Sequence, residues 1–223
     1  MSCLHHVSRP LYKICHLIPF LLLLVILLTG TCFAETVLFD GTSMDGWAHT
    51  GPGYFRIDPI QKSLVAMGGM GMLFYYDQQF ADFELTLDYK IARWDANSGV
   101  FIRFPNLPIK NQPQVNGQEM AGPWAAVHEG YEIQICDACG GNTGTGSLYS
   151  FFDRTKSASK PVGEWNEMKI RAEGQHYQVW VNGEKVGDYT GSRALKGYIG
   201  LQNHHVDEEA SFRNIRIQEL GGK

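Results

Sequence analysis

Residues 130–137 read Gly-Tyr-Glu-Ile-Gln-Ile-Cys-Asp. In an extended chain this places Glu132, Gln134 and Cys136 on one face and Tyr131, Ile133 and Ile135 on the other. One face packs. The other carries a carboxylate and an amide at strand spacing, a combination suited to proton transfer and to hydrogen bonding with a polar ligand. Glu and Gln are poor strand formers, so a strand that spends alternate positions on them favours a polar cleft over a plain surface. The same alternation in Asn97–Arg103 sets Asn97, Gly99, Phe101 and Arg103 against Ser98, Val100 and Ile102. In Tyr198–His204 it sets Tyr198, Gly200, Gln202 and His204 against Ile199 and Leu201, and Ser147 and Tyr149 oppose Leu148. Four segments thus bring polar side chains to surfaces with apolar reverse sides, as a concave sheet with a binding groove requires. Structural alternatives stay open at this point: Arg103 could pair with Glu132 as a buried ion pair, Tyr149 could be a core tyrosine, and His204 could sit solvated at a strand end.

The elements that must position these residues are strands. Short alternating or apolar runs bounded by Gly, Asn, Asp and Pro recur from Thr36 to Leu220, and helical periodicity is scarce. The clearest strands fall at Ser63–Ala66, Gly71–Tyr75, Phe83–Ile91, Gly99–Phe104, Tyr131–Cys136, Ser147–Phe151, Trp165–Ala172, Tyr177–Val181, Lys185–Tyr189, Tyr198–Gln202 and Ser211–Glu219. Asn182-Gly183 is a hairpin signal, because both residues tolerate the positive φ of a type I′ turn. So many strands predict two sheets packed face to face, an all-β sandwich or jelly roll. The connection from Pro105 to Glu129 reads as a long loop; it carries Trp124 and His128 and is expected over the mouth of the cleft.

The N-terminus has Arg9 and Lys13, an apolar run from Leu17 to Leu28 and the small-residue end Thr31-Cys-Phe-Ala34. This reads as a secretory signal, residues 1–34, with an uncleaved anchor as the weaker reading. The remainder, residues 35–223, is expected to be one exported domain, periplasmic or secreted. The whole chain has 19 basic and 23 acidic residues; without Arg9 and Lys13 the balance is −6, which argues against a nucleic-acid partner. Cys136 and Cys139 then stay in a compartment where thiols oxidise, and a local disulfide is the first expectation. A redox motif would need a strand-to-helix setting, whereas this one runs into Gly140-Gly-Asn-Thr-Gly144.

Taken in order, Leu38-Phe-Asp-Gly41 with Gly46-Trp47, Asp82-Phe-Glu-Leu85, Asn97-Ser-Gly-Val-Phe-Ile-Arg103, Gly130-Tyr-Glu-Ile-Gln-Ile135, Gly163-Glu-Trp-Asn166, Trp180-Val-Asn-Gly183, Gly200-Leu-Gln202 and Phe212-Arg-Asn-Ile-Arg216 resemble the 3-keto-disaccharide hydrolase domain family. The resemblance spans residues 35–223 and implies a concanavalin A-like jelly roll acting on glycosides whose C3 hydroxyl a partner sugar 3-dehydrogenase has oxidised. One departure is the run His204-His-Val-Asp-Glu-Glu209, where the family has a shorter turn of the Asp-His-Gly type.

A C3 ketone acidifies the C2 hydrogen, so a base can remove it, an enediolate forms and the C1 aglycone leaves; water can then add to the glycal. Such a site needs a base, a stabiliser of negative charge and an acid. Glu132 or His204 is the expected base, Arg103 or a bound cation the stabiliser, and Tyr149 or His204 the acid. Asn97, Gln134, Gln202, Trp124 and His128 would contact substrate. A divalent cation would find Glu132, Gln134 and His204 as ligands, although no ligand spacing specifies one, and Asp95 or Asp207–Glu209 could hold structural calcium. Two rival readings are a carbohydrate-binding module with Trp94 and Trp124 as stacking platforms, and a retaining glucanase. The glucanase needs a second carboxylate on the catalytic strand, where this chain has Gln134 and Cys136.

Overall fold

The computed structural model of the protein describes residues 34–105, 123–207 and 210–221, and the backbone of 114–115 and 118–119. The chain divides into two units, Met1–Cys32 and Phe33–Lys223. The first, with the leader expected there, lies outside the described residues.

The strands are β1 (Glu35–Phe39), β2 (Trp47–Thr50), β3 (Tyr54–Asp58), β4 (Ser63–Met67), β5 (Gly71–Phe80), β6 (Phe83–Ile91), β7 (Ser98–Phe104), β8 (Gln114–Val115), β9 (Gln118–Glu119), β10 (Tyr131–Ile135), β11 (Asn166–Glu173), β12 (His176–Val181), β13 (Glu184–Thr190), β14 (Gly197–Asn203) and β15 (Ala210–Glu219). One helix, α1 (Pro123–Glu129), precedes β10. The larger sheet has the order β13-β12-β11-β6-β15-β4-β3, with β1 also paired to β15; the smaller has the order β10-β7-β14-β5-β2, and β8 pairs with β9 alone. All pairings are antiparallel, and the two packed sheets form the jelly-roll sandwich that the strand count predicts.

Alternation builds the core. In β6 every odd residue from Phe83 to Ile91 is buried and every even one is partly exposed. Leu85, Leu87 and Tyr89 meet Val100, Ile102, Ile133, Ile199 and Leu201 of the smaller sheet in one apolar cluster. Burial of such side chains, at about 25 cal/mol per Å², is the main stabilising contribution. The predicted hairpin forms between β12 and β13, with φ of +51° at Asn182 and +79° at Gly183. Asn182 also donates through Nδ2 to Asn166 Oδ1 at 2.8 Å, tying the Trp180–Gly183 and Gly163–Asn166 motifs together. Trp47 donates its indole N–H to the Leu38 carbonyl at 2.8 Å, linking the first two motifs in the same way. These motifs hold the fold.

The smaller sheet is covered on its second face too. Met72, Phe74, Phe101 and Phe104 pack there against Ala126 of α1. In the sequence this stretch reads as loop. Seven residues are too few to show a helical period, yet Pro123 at the first helical position and Gly130 just past the end are the usual punctuation. The segment expected as a strand at Ser147–Phe151 is instead a set of turns with isolated bridges from Leu148 to Ile133 and Phe152.

Candidate active site

On β10, Tyr131, Ile133 and Ile135 enter the core while Glu132 and Gln134 face the side covered by α1. Across the register, Gln134 lies opposite Gly99 and Glu132 opposite Phe101 of β7, and Gly200 of β14 follows in Phe101's row. The Glu132 side chain lies over Gly99, where an added Cβ would fall 2.8 Å from Glu132 Cγ and 3.0 Å from Cδ. It thereby reaches across β7 and accepts a hydrogen bond from the Gln202 side chain of β14. Gln134 donates through Nε2 to Asn97 Oδ1 at 2.8 Å. Ser98 fixes β14 beside β7 by donating to the Gln202 carbonyl at 2.7 Å.

These groups open into a pocket of about 410 Å³ of empty space, continuous with solvent. Asn97, Glu132, Gln134, Tyr149, Gln202 and His204 form a polar wall, and Met70, Pro123, Trp124 and Val127 an apolar one. Tyr149 arrives on the turn beside β10, where its N–H donates to the Glu132 carbonyl at 2.9 Å. Glu132 is only 5% exposed. Burial pushes its carboxyl up from 4.5 to about 8, and the Gln202 hydrogen bond offsets this only in part. The Oε1 atoms of Gln134 and Gln202 are buried without a hydrogen-bond partner among the described residues. Buried acceptors left in this condition are costly and call for donors from a ligand.

The site therefore unites seven of the expected residues: Glu132, His204, Tyr149, Asn97, Gln134, Gln202 and Trp124. Arg103 is a correction. It has φ +56° and is the extra residue between Ile102 and Phe104, which pair with Ile199 and Tyr198. This bulge reverses the alternation, so Phe104 joins Phe101 on the covered face and Arg103 turns into the core. There its Nη2 meets Asp82 Oδ1 at 3.0 Å, its Nε donates to the Ala81 carbonyl at 3.0 Å, and its Nη1 donates to Tyr177 at 3.1 Å. It pairs with Asp82, not Glu132, and contributes no charge to the pocket.

His128 is a second correction. One helical turn beyond Trp124, it stacks on the indole with ring centroids 6.1 Å apart and is not part of the pocket lining. The residues that sequence reading missed, Met70, Pro123 and Val127, are apolar or lie in the helix whose periodicity was too short to read. Gly68-Gly69-Met70-Gly71 was the one visible signal near Met70, a breaker run between two strands.

Cys136 and Cys139 form the expected disulfide, with Cα atoms 5.3 Å apart, just past the end of β10. Among the described residues no three His, Cys, Asp or Glu side chains gather as a metal cluster. The donors available to a cation in the pocket are Glu132, the two amide oxygens and His204. Asp95 and Asp207 both pair with Arg93, at 2.9 and 3.2 Å.

A two-sheet jelly roll with a polar groove in its smaller sheet and an indole on the facing wall places the protein in the concanavalin A-like fold class. More narrowly, the chain belongs to the 3-keto-alpha-glucoside-1,2-lyase-like domain family, whose profile matches residues 34–218. It is similar to the 3-keto-disaccharide hydrolase of Bacteroides thetaiotaomicron, at 23% identity over 82% of this chain and 77% of that protein. A crystal structure from Parabacteroides distasonis, provisionally assigned as a glycosyl hydrolase, superimposes with a TM-score of 0.67 at 26% identity, covering 84% of this chain and all of that one. A carbohydrate-binding module of Bacillus subtilis shares the fold, with a TM-score of 0.53 at 17% identity over 78% of this chain and 96% of the module.

Proposed function

We propose that the protein cleaves 3-keto-glycosides by removing the C2 proton and eliminating the C1 aglycone, with hydration of the resulting glycal at the same site. The observation that carries this reading is Glu132: a buried carboxyl, aimed into the pocket and held by Gln202, whose affinity for a proton is raised to about 8. A carbon acid activated by a neighbouring ketone needs a strong base, and desolvation supplies basicity that an exposed carboxylate lacks.

Glu132 takes the C2 hydrogen as a proton. The electrons of that bond form the C2–C3 double bond of an enediolate, and negative charge moves to the C3 oxygen. When the enediolate collapses, the C1–O bond breaks and the aglycone oxygen accepts a proton from Tyr149 or His204. Addition of water to the unsaturated product restores a free 3-keto sugar. With Arg103 in the core, the pocket's own donors to the C3 oxygen are the Asn97 amide, the Tyr149 hydroxyl and His204. A divalent cation bound by Glu132, Gln134, Gln202 and His204 would add Lewis-acid stabilisation. With no cation on them, the buried Oε1 atoms of Gln134 and Gln202 accept hydrogen bonds from sugar hydroxyls, and Trp124 provides the apolar surface against which a ring lies. The substrate requires an oxidoreductase that converts a glycoside's C3 hydroxyl into a ketone. The Cys136–Cys139 bridge suits an exported protein.

The test is incubation of residues 35–223 with a chromogenic 3-keto-glucoside and its unoxidised parent, with and without chelator. Release from the keto substrate alone, lowered about 10²- to 10⁴-fold in Glu132→Gln, is expected. Chelator sensitivity would assign the cation. Sugar binding without release from either compound would make the protein a binding module.

A further inference from the structure

We infer that Arg193, which lies outside the pocket, is the positioning residue that sets the distance between its apolar and polar walls. The two walls come from different elements. Trp124 and Val127 stand on α1, whereas Glu132 stands on β10 and Tyr149 on the turn beside it. They meet at the corner where α1 ends and β10 begins, closed internally by the Gly130 N–H donating to the Ala126 carbonyl at 2.9 Å.

Arg193 gathers this corner from the loop after β13. Its Nη1 donates to the carbonyl of Val127 at 2.7 Å and also to that of Gly130. Both carbonyls belong to the end of a helix, where backbone acceptors lack intrahelical partners and a cation is favoured. The guanidinium also lies over Phe151 at 4.6 Å and Tyr131 at 5.4 Å. Phe151 is two residues from Tyr149, and Tyr131 is adjacent to Glu132. One side chain thus touches Val127 itself and the close chain neighbours of both Glu132 and Tyr149.

Arg193 is in turn held from behind. The backbone N–H groups of Ser192 and Arg193 donate to the Tyr131 hydroxyl at 2.9 and 3.0 Å, and Gln175 Nε2 donates to the Arg193 carbonyl at 2.6 Å. A lysine ammonium in the same place reaches the carbonyls, but it lacks the guanidinium plane that packs on the two rings.

The experiment uses the full domain labelled with 5-fluorotryptophan, with Trp124 assigned by loss of its fluorine resonance in Trp124→Phe. In Arg193→Ala the Trp124 resonance shifts or broadens, while those of Trp47, Trp165 and Trp180 stay in place. Arg193→Lys recovers part of the native position. The effect on turnover rests on the 3-keto-glycoside reading: KM for the keto substrate rises on the order of 10- to 100-fold, more than kcat falls. Should the protein not turn over this substrate, the fluorine result stands by itself and the sugar's Kd replaces KM. An unmoved Trp124 resonance in folded Arg193→Ala, with KM or Kd unchanged, overturns the inference. If Arg193→Ala does not fold, the same two readings in Arg193→Lys decide it, and wild-type values for both overturn it.

Discussion

The Glu132 side chain occupies the space above Gly99, and this overlap lets a residue on β10 reach Gln202 two strands away. No side chain at position 99 is compatible with that path, since a Cβ would sit 2.8 Å from Glu132 Cγ and closer to Oε1. Gly99→Ala therefore displaces the carboxyl and separates it from Gln202. Misplacement of a reacting group by about 1 Å costs on the order of 10²-fold in rate. That loss in kcat/KM is expected with Tm changed by only a few degrees, measured by steady-state kinetics beside thermal unfolding. Wild-type kcat/KM in Gly99→Ala would show that the side chain need not lie there.

Arg103 makes a different demand. It is fully buried, and its charge is met by Asp82 and by carbonyls at Ala81 and Gly174. Removing one partner of a buried pair leaves the other uncompensated, typically at 3–5 kcal/mol. Water reaches Asp82, so Asp82→Ala is expected to cost about 2–4 kcal/mol in denaturant unfolding. Because neither residue lines the pocket, kcat of the folded variant stays near wild type. A large fall in kcat at unchanged stability would return Arg103 to the chemistry.

Much of this was legible in the sequence, for reasons visible at particular residues. β6 alternates without interruption, so its ends match the reading at both Phe83 and Ile91. Glu132, Gln134 and Gln202 were legible because β10 and β14 keep an apolar side opposite a polar one. Arg103 was not, because a single residue of positive φ reverses the pattern, and nothing in Ile-Arg-Phe-Pro announces it. β1, β2 and β3 are only four or five residues long, too short for period 2 to stand out. The helix α1 left only its terminal Pro and Gly as signals. Arg193 was beyond reach for another cause: its hydrogen bonds to the Val127 and Gly130 carbonyls join residues more than 60 positions apart, and no local pattern encodes them.

The disulfide closes a very short loop. Chain-entropy reasoning for a loop of about four residues gives about 2 kcal/mol, near the low end for such bridges. β10 is also anchored beyond Ile135 without it, because the Cys136 N–H donates to Thr145 Oγ1 at 2.9 Å and the Thr145 N–H donates back to the Cys136 carbonyl at 3.2 Å. The double variant Cys136→Ser, Cys139→Ser is expected to lose roughly 4–8 °C in Tm while kcat/KM changes little. A collapse of activity at modest loss of Tm would mean that the bridge, and not these hydrogen bonds, places Glu132.

Burial of Glu132 ties stability and activity to pH in opposite senses. The folded protein holds the carboxyl proton up to about pH 8, whereas the unfolded chain releases it near 4.5. Between these values the folded state binds more protons than the unfolded state, so unfolding free energy falls as pH rises through the window. The whole change is on the order of 3–5 kcal/mol. Glu132→Gln has no proton to lose, so its Tm should stay flatter from pH 5 to 9 and exceed that of the wild type toward the alkaline end. Turnover runs the other way. A base must be ionised, so kcat/KM for the keto substrate is expected to rise with pH and level off above about 8. Parallel Tm profiles for wild type and variant would mean that Glu132 ionises as an ordinary carboxylate. A rate that fell across the same range would make it the acid of the reaction instead of the base.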